Sequence, residues 1–339
     1  MARMGDFGVV DYTSLMALSP RKVSQLEVLG IFNAAQTDYI DGRYAEFERE
    51  KLGKTKMYNV SRDADRQFMG SEQAQKEILE VPFATLDGVT RPAEVENFRM
   101  YGTEDQNETV ENVVNKKIAH IQRSHAGYEI DVAYQALLNN KVYAFNEAGV
   151  EITGLAKNFS TVWGAARKTG AIDLTNAAVN PFDTLTAKRA EIIAEIGEQA
   201  APTGFVYIVN SVQFGQLVSH PLVEDAYNKY PSEQEPLRRR LAAGEFDAQT
   251  FSHKGITVVE DLSGKLANTE GYLLPLGVED MFVKRYAPAN TIEDVNTVSK
   301  GSYLFMRETW RAAILESEIA VMCMITRPEL ICDVTATVA

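Results

Sequence analysis

The chain has 339 residues, more than one hydrophobic core usually organises, so two or three lobes are expected. Apolar residues make up 45% and charged residues 24%, which is ordinary for a folded globular protein and excludes a disordered or fibrous chain. The formal net charge of −13, from 47 acidic and 34 basic residues, argues against a surface built to grip nucleic acid, which needs clustered lysine and arginine.

The cysteines and the apolar runs indicate in which cellular compartment the protein is made. Cys323 and Cys332 match no zinc or redox spacing, so both are predicted to be buried free thiols in a reducing environment. The N-terminus lacks the apolar run of a signal peptide. The longest apolar run, residues 319–325, is far shorter than the roughly 20 residues of a membrane helix. These features predict a soluble protein made in a cytoplasm, with no membrane partner.

The first 80 residues lack the pattern of a compact core. Residues 1–45 carry short apolar groups interrupted by Pro20, and residues 23–32 are predicted to form one short helix that packs on something else. Residues 46–80 are highly charged and predict a long extended excursion with little core of its own. Long polar loops in compact proteins are usually functional or disordered, and the order of the flanking segments favours function.

Residues 81–102, VPFATLDGVTRPAEVENFRMYG, carry strong conformational signals and no chemistry. Pro82 and Pro92 restrict the local backbone, and Asp87-Gly88 predicts a turn. The segment contains nothing that resembles a nucleophile, a metal ligand or a phosphate loop.

Residues 109–139 show the clearest periodicity in the chain and predict one helix of about 30 residues, about 45 Å long. Gly127 inside it costs on the order of 1 kcal/mol relative to alanine, so a bend or a close contact is expected there. Such a helix would support a flat, elongated domain. The residues expected on its apolar face are Val110, Val113, Val114, Ile118, Ile121, His125, Tyr128, Val132, Ala136 and Leu137.

Strand and helix signals alternate after this helix. A hairpin is predicted over residues 141–154. A helix is predicted to begin at residues 180–183, with Ile192, Ile193 and Ile196 on one face.

The C-terminal half continues the alternation. Residues 205–210 predict a buried strand, Ser211 is expected to cap the next helix, and residues 224–243 predict a charged helical stretch. Further strands are predicted at 255–260, 271–277 and 281–286, which gives an α/β or α+β lobe over about 170–310. Two strands close the chain within residues 314–334, and the first is apolar enough to be central in a sheet.

No enzyme motif emerges. Gly53-Lys54-Thr55 resembles the end of a phosphate-binding loop, but Glu48 stands where that loop needs a glycine. His120 and His125 lie about 140° apart around a helix, so they do not readily share a metal. Adjacent acids such as Glu260-Asp261 point to opposite faces of a strand, which favours solvated turn acids over a catalytic pair. No catalytic, metal-binding or cofactor-binding residue is predicted.

Sequence landmarks over about residues 80–338 occur in the order of a known family. They are the segment 81–102, IAHIQRSHAGYEIDVAYQALLNNKV, VYAFNEAGVEI, FSTVWGAARKTG, FVYIVNSVQFGQLVSHPLV and ILESEIAVMCMITRPELICDV. Each is weak alone, and their shared order and spacing carry the match. With them the chain resembles the lambda-type major capsid proteins of tailed phages (the phage major capsid protein E family), which have the HK97-like fold.

The resemblance implies an α+β, HK97-like capsid fold in four parts. The extended loop would lie across a neighbouring subunit, and the axial domain would converge on the five- or six-fold axis of each capsomer. The implied parts are an N-terminal arm (1–45), the extended loop (46–82), a peripheral domain (83–170 and 311–339) with residues 109–139 as its spine helix, and the axial domain (171–310).

The same resemblance implies roles for two groups of residues. Inter-subunit ion pairs are expected from the loop residues Glu46, Glu48, Arg49, Glu50, Lys51, Lys54 and Lys56. A structural hinge between the loop and the spine helix is expected from Pro82, Asp87, Gly88, Pro92, Phe98 and Tyr101. No covalent crosslink is expected, because the lambda-type branch relies on separate decoration proteins instead, and neither the asparagine nor the glutamate of the crosslinking chemistry can be mapped.

The implied function is that of a major capsid protein of a tailed double-stranded DNA phage. It would assemble into pentamers and hexamers of an icosahedral shell, with no cofactor and no enzymatic activity. The implied partners are further copies of the chain, a decoration protein, a scaffold and a portal, and DNA would be enclosed without sequence-specific binding. The subunits would assemble in the host cytoplasm and end in the virion. An encapsulin-like nanocompartment shell and an unrecognised soluble α/β enzyme stay open as alternatives.

Overall fold

The computed structural model describes residues 9–18, 24–51, 73–96, 109–197, 202–229, 239–240 and 248–338. Over these ranges the protein contains two seven-stranded sheets and a two-stranded ribbon, with helices packed against the sheets. None of the helices in these ranges is both long and apolar enough to cross a membrane.

Five of the seven α-helices in the described ranges are capped by a polar side chain that accepts a hydrogen bond from a first-turn N–H group: Ser24, Thr109, Asn158, Asn180 or Asn210. The predicted Ser211 cap is wrong by one residue, because the Asn210 side chain is the one that accepts, from the Gln213 N–H at 2.9 Å. The helices are α1 (Thr13–Leu18), α2 (Gln25–Val28), α3 (Val110–Asn139), α4 (Phe159–Trp163), α5 (Pro181–Ile196), α6 (Ser211–Val218) and α7 (Pro221–Lys229).

The described ranges contain sixteen strands. They are β1 (Val9–Asp11), β2 (Thr37–Tyr39), β3 (Tyr44–Lys51), β4 (Gln73–Glu80), β5 (Phe83–Thr85), β6 (Gly88–Thr90), β7 (Lys168–Asp173), β8 (Gly204–Asn210), β9 (Arg239–Arg240), β10 (Gln249–His253), β11 (Ile256–Asp261), β12 (Glu270–Leu276), β13 (Phe282–Tyr286), β14 (Ser302–Thr309), β15 (Ala312–Ile325) and β16 (Cys332–Thr337).

Strand β15 is the centre of the first sheet, as its apolar sequence predicted. It pairs with β14 along its first part, with β13 along its second part, and with β5 and β6 as well. Strand β1 adds to β14 and β2 adds to β13, so the described part of the arm is bound to the protein's own sheet. Leu15 and Met16 of α1 pack with Ile121 and Leu315 in a small core beneath it.

The second sheet has the strand order β7-β16-β12-β8-β11-β10-β9. The predicted strand at residues 205–210 is confirmed, with five of its side chains buried. In α5, Ile192 and Ile196 are buried but Ile193 is 43% exposed, so the predicted three-residue face is wrong at that position. The predicted helix over 224–243 is also wrong in part, since α7 begins at Pro221 and residues 239–240 form an edge strand.

Helix α3, the spine helix, confirms the periodicity over 109–139, and Thr109 caps it. It packs along β15 and buries Ile118, Ile121 and Val132. The close contact expected at Gly127 is wrong, because a Cβ at that position would meet no atom within 4 Å. After the helix, residues 141–154 form the predicted hairpin, which has one isolated bridge between Phe145 and Glu151 instead of continuous strands.

Arg167 fastens the C-terminal end of the spine helix to the second sheet. Its guanidinium donates to the Leu137 carbonyl at 2.6 Å and to the Ala136 carbonyl at 3.2 Å. It also pairs with Asp333 on β16 at 3.1 Å, and its side chain is 5% exposed. A cation at a helix C-terminus satisfies free carbonyls and complements the helix dipole. The spine helix is thereby connected to both sheets.

The two sheets exchange strands near the C-terminus. Strands β13 and β14, within the range expected for the axial domain, pair with β15. Strand β16, within the range expected for the peripheral domain, joins the second sheet beside β12 and β7. The division of the chain into domains stays a prediction. Cys323 on β15 and Cys332 on β16 are both buried free thiols, as predicted.

Candidate assembly site

Strands β3 and β4 form an antiparallel ribbon at the base of the extended loop. Their register runs from Tyr44 opposite Glu80 to Lys51 opposite Gln73. Successive side chains of a strand point to opposite faces, and the burial of β3 alternates accordingly. Ala45, Phe47 and Arg49 are buried, whereas the residues between them are exposed. The ribbon therefore has an inner face toward the protein and an outer face toward solvent.

The inner face is attached to the protein at three points. Phe47 is 2% exposed, and the Arg285 guanidinium lies 5.8 Å from its ring centroid. Gln75 Nε2 donates to the Val162 carbonyl at 3.1 Å. Arg49 forms an ion pair with Glu329, with side-chain exposures of 6% and 15%. These contacts fix the orientation of the ribbon on the rest of the protein. The prediction that the loop has little core of its own is therefore wrong at its base.

The outer face carries exposed charges and two exposed apolar side chains, Tyr44 and Ile78. Lys76 of β4 lies 2.5 Å from Glu46 and 3.7 Å from Glu48, across the ribbon. At its foot, Arg43 pairs with Glu80. Such exposed pairs contribute little to subunit stability. Substitutions on the outer face should therefore cost the subunit less stability than substitutions on the inner face.

The residues predicted for inter-subunit ion pairs fall into three groups. Glu46 and Glu48 lie on the outer face, and Arg49 lies inside the subunit with a partner from its own chain. For Glu50 and Lys51 the structure describes the backbone alone. Lys54 and Lys56 lie outside the described residues. The inter-subunit role of the set stays a prediction, and the geometry favours Glu46 and Glu48 within it.

The segment after the ribbon, residues 83–90, runs antiparallel alongside β15. Its pairing keeps one register, from Phe83 opposite Ala320 to Thr90 opposite Ala313. The predicted Asp87-Gly88 turn is therefore wrong. Asp87 interrupts the ladder without bending it, because its carboxylate accepts the Ser317 N–H at 3.2 Å in place of a backbone carbonyl. Side chains of this type often replace backbone partners in this way.

Of the remaining hinge residues, Pro82 and Pro92 lie at the two ends of this segment. Pro82 separates β4 from β5, and Pro92 begins a short 3₁₀ helix, Pro92–Glu94. Phe98 and Tyr101 lie outside the described residues. The hinge role stays a prediction.

A buried histidine joins the spine helix to this segment. His125 Nε2 lies 3.1 Å from Ser317 Oγ, which in turn donates to the Leu86 carbonyl. Since the serine proton is committed to Leu86, the histidine must donate through Nε2, and its buried Nδ1 has no hydrogen-bond partner. Burial lowers the pKa of His125 below its ordinary value, and the nearby Glu129 carboxylate opposes this shift.

This arrangement predicts a pH-dependent loss of stability. A histidine whose folded pKa is lowered binds its proton first in the unfolded state. The free energy of unfolding should therefore fall as the pH drops below about 6.5, by at most about 1.4 kcal/mol per pH unit. Urea unfolding of the subunit between about pH 8 and 5 should show this slope, and His125→Gln should reduce it. His120→Gln, at an exposed site of the same helix, is the control. A parallel response of wild type and His125→Gln would contradict the assignment.

Sequence reasoning missed the partners that anchor the ribbon. Glu329 lies 280 positions from Arg49, and no local pattern links the two. The alternation over residues 44–49 was a usable signal, since it places Arg49 on the same face as Phe47. Elsewhere in the described ranges, no group of three or more His, Cys, Asp or Glu side chains is arranged to hold a metal ion.

The fold is that of HK97-like capsid subunits. The candidate capsid protein of a prophage of E. coli CFT073 superposes with a TM-score of 0.55 at 9% identity, over 97% of this chain and 99% of that chain. The capsid subunit of cyanophage A-1(L) gives 0.50 at 15% identity, over 95% and 98%. That of cyanophage P-SCSP1u gives 0.50 at 11% identity, over 95% and 90%. At such identities the likeness shows the fold alone.

The sequence comparisons define the family. Residues 13–336 match the profile described as phage major capsid protein E. The major capsid protein of Pseudomonas phage KPP10 is 26% identical over 351 residues, which cover 96% of each chain. The chain belongs to the phage major capsid protein E family, and its function is that of a major capsid protein of a tailed phage. The match disfavours both the nanocompartment and the enzyme alternatives.

Proposed function

We propose that copies of this chain assemble into pentamers and hexamers, which build an icosahedral shell around double-stranded DNA. The family match over residues 13–336 is the observation that carries this proposal. The ribbon supports it, since its inner face is anchored to the subunit and its outer face exposes both charged and apolar side chains. Identical subunits form rings and closed shells through heterologous contacts that close by rotation, and such a ribbon provides one half of a contact of this kind.

In this proposal the four parts have separate tasks. The extended loop (46–82) lies across a neighbouring subunit, and the axial domain (171–310) surrounds the five- and six-fold axes. The peripheral domain (83–170 and 311–339) carries the spine helix, and the arm (1–45) strengthens its sheet. The segment from Pro82 to Tyr101 acts as the hinge between loop and spine.

The proposed partners follow from assembly of a phage head. The subunit acts as a structural protein without catalysis, in the host cytoplasm and then in the virion. A scaffold, a portal and a decoration protein are its further partners, and no covalent crosslink between subunits is needed. The net charge of −13 supports an interior that encloses DNA without holding it tightly or reading its sequence.

Charge reversal on the outer face of the ribbon should make assembly depend on salt. We expect Glu46→Lys with Glu48→Lys to lower the yield of shells at least about tenfold at about 0.05 M salt and to recover at about 1 M, because salt screens exposed charges. The subunit should still fold, since each exposed pair is worth less than about 1 kcal/mol. Sedimentation at both salt concentrations measures the yield.

A matched control separates the ribbon from net charge. Glu147→Lys with Glu279→Lys changes the charge equally at exposed sites away from the ribbon and should assemble normally. Assembly of the ribbon variant like wild type at every salt concentration would remove the inter-subunit role from Glu46 and Glu48.

The proposal is tested by the size of the purified protein. Sedimentation should show rings or shells much heavier than the 37.6 kDa chain. A monomer or small oligomer under all conditions would overturn it.

A further inference from the structure

The hairpin that joins β14 to β15 ends in an exposed tryptophan. Thr309 and Ala312 close the turn with hydrogen bonds of 2.9 and 3.0 Å, which leaves Trp310 and Arg311 at the tip. Trp310 is 86% exposed, and the Arg311 guanidinium lies 4.0 Å from its ring centroid. Tryptophan is highly buried on average in folded proteins, and tryptophan and arginine are enriched among the residues that dominate protein interfaces.

A second exposed apolar patch lies on the loop between β13 and β14. Ile292 is 88% exposed, Val298 64% and Val295 58%. Three exposed aliphatic side chains thus fall within seven residues of one loop, in contrast to the scattered single residues that are normal on protein surfaces. Glu293 adds an exposed carboxylate beside Ile292.

Hydrogen bonds of its buried and half-buried polar residues hold this loop in one conformation. Asp294 is buried, and its carboxylate accepts the Thr291 hydroxyl at 2.6 Å. The Thr297 hydroxyl donates to the Asp294 carbonyl at 2.8 Å, and the Ser299 hydroxyl donates to the Ala287 carbonyl at 2.8 Å. A loop ordered in this way loses little entropy on binding, so its apolar side chains are prepared for a partner.

The two patches lie at opposite ends of one strand. The Asn290 N–H donates to Glu318 at 2.9 Å, and Glu318 is opposite Tyr303, so the loop is anchored near the start of β14. Residues 303–309 separate this point from the hairpin tip by about 20 Å, at about 3.3 Å per residue. The strand holds the patches apart within a subunit, so a contact between them has to join two subunits.

We propose that Trp310 and Arg311 of one subunit dock on the Ile292–Val298 loop of a second copy of this chain. The tip provides an aromatic ring and a cation, and the loop provides aliphatic side chains and a carboxylate, so the two surfaces match in polarity and charge. Because the surfaces differ, the contact is heterologous and repeats from subunit to subunit, as a ring or shell requires. The inference rests on the proposed assembly and names two of its contact surfaces.

Cysteine pairing tests the contact directly. In shells of the full chain, the double variant Arg311→Cys with Glu293→Cys should form ladders of linked subunits on mild oxidation. Each single variant should form none, and shells mixed from the two single variants should give linked dimers. The native cysteines are buried and give little background. Dimers from Arg311→Cys alone would show that tip meets tip, and this result would overturn the proposal, as would shells of the double variant without linkage.

A charge exchange tests the contact when cysteine variants assemble poorly. Arg311→Glu and Glu293→Arg should each lower the yield of shells at least about tenfold, and the double variant should restore most of it. Circular dichroism of each subunit checks folding. A double variant no better than the singles, or singles like wild type, would contradict the docking, whereas failure of the wild-type chain to form shells would count against the proposed function itself.

Discussion

Arg49→Glu is expected to abolish shell formation and to destabilise the subunit by about 3–5 kcal/mol. The substitution removes the cation that neutralises Glu329 in a largely buried site and places a second carboxylate there. Glu329 lies in the Pro328–Leu330 turn between β15 and β16, where the chain passes from one sheet to the other. The ribbon would lose its fixed direction, and the loop could no longer reach a neighbour reproducibly. Urea unfolding and the sedimented yield of shells measure the two effects.

The neighbouring position provides the control for this prediction. Glu48→Lys reverses a charge on the same strand but on the outer face, where its side chain is 69% exposed, so the loss of stability should stay below about 1 kcal/mol. The exchanged pair Arg49→Glu with Glu329→Arg should recover stability and assembly. If Arg49→Glu unfolds and assembles like wild type, the ribbon is not oriented by this ion pair.

Lys284→Met is the second substitution with a large expected effect, a loss of about 3–5 kcal/mol. Lys284 Nζ lies 3.0 Å from Glu129 Oε2, and the two side chains are 5% and 13% exposed. The pair connects β13 to the middle of the spine helix. Methionine keeps the volume of the lysine stem but leaves the Glu129 charge without its cation inside the protein. Urea unfolding of the unassembled subunit measures the loss.

A double substitution shows whether the effect comes from the unpaired charge. Lys284→Met with Glu129→Leu removes both ions and should recover most of the stability, because a buried pair can often be replaced by apolar residues at little cost. A single variant that costs less than about 1 kcal/mol, or a double variant as unstable as the single, would contradict this account.

Local sequence patterns were sufficient for elements whose conformation is determined by residues close to one another in the sequence. The spine helix was predicted within one residue at its start, because the apolar period that marks it is a local signal. The buried strand before Asn210 and the central position of β15 followed from continuous apolar runs, which only strands covered on both faces can tolerate.

The errors arose where a distant partner decides the conformation. Asp87-Gly88 is a turn signal in isolation, but pairing with β15 holds the backbone extended there. Arginine is usually a surface residue. Arg49 is buried because it forms an ion pair with Glu329, which is distant in sequence. The exchange of β16 into the second sheet likewise depends on pairing with β7 and β12, which strand periodicity alone does not encode.

Contacts between copies of this chain are expected to be sufficient to close a shell, even without the proposed scaffold, portal and decoration protein. Cryo-electron microscopy of the protein expressed without other phage proteins tests it most directly. Closed particles built of five- and six-subunit rings are expected, in which each extended loop lies on a neighbouring subunit. Images that show only separate monomers or small oligomers, at every concentration and salt condition tried, would contradict it.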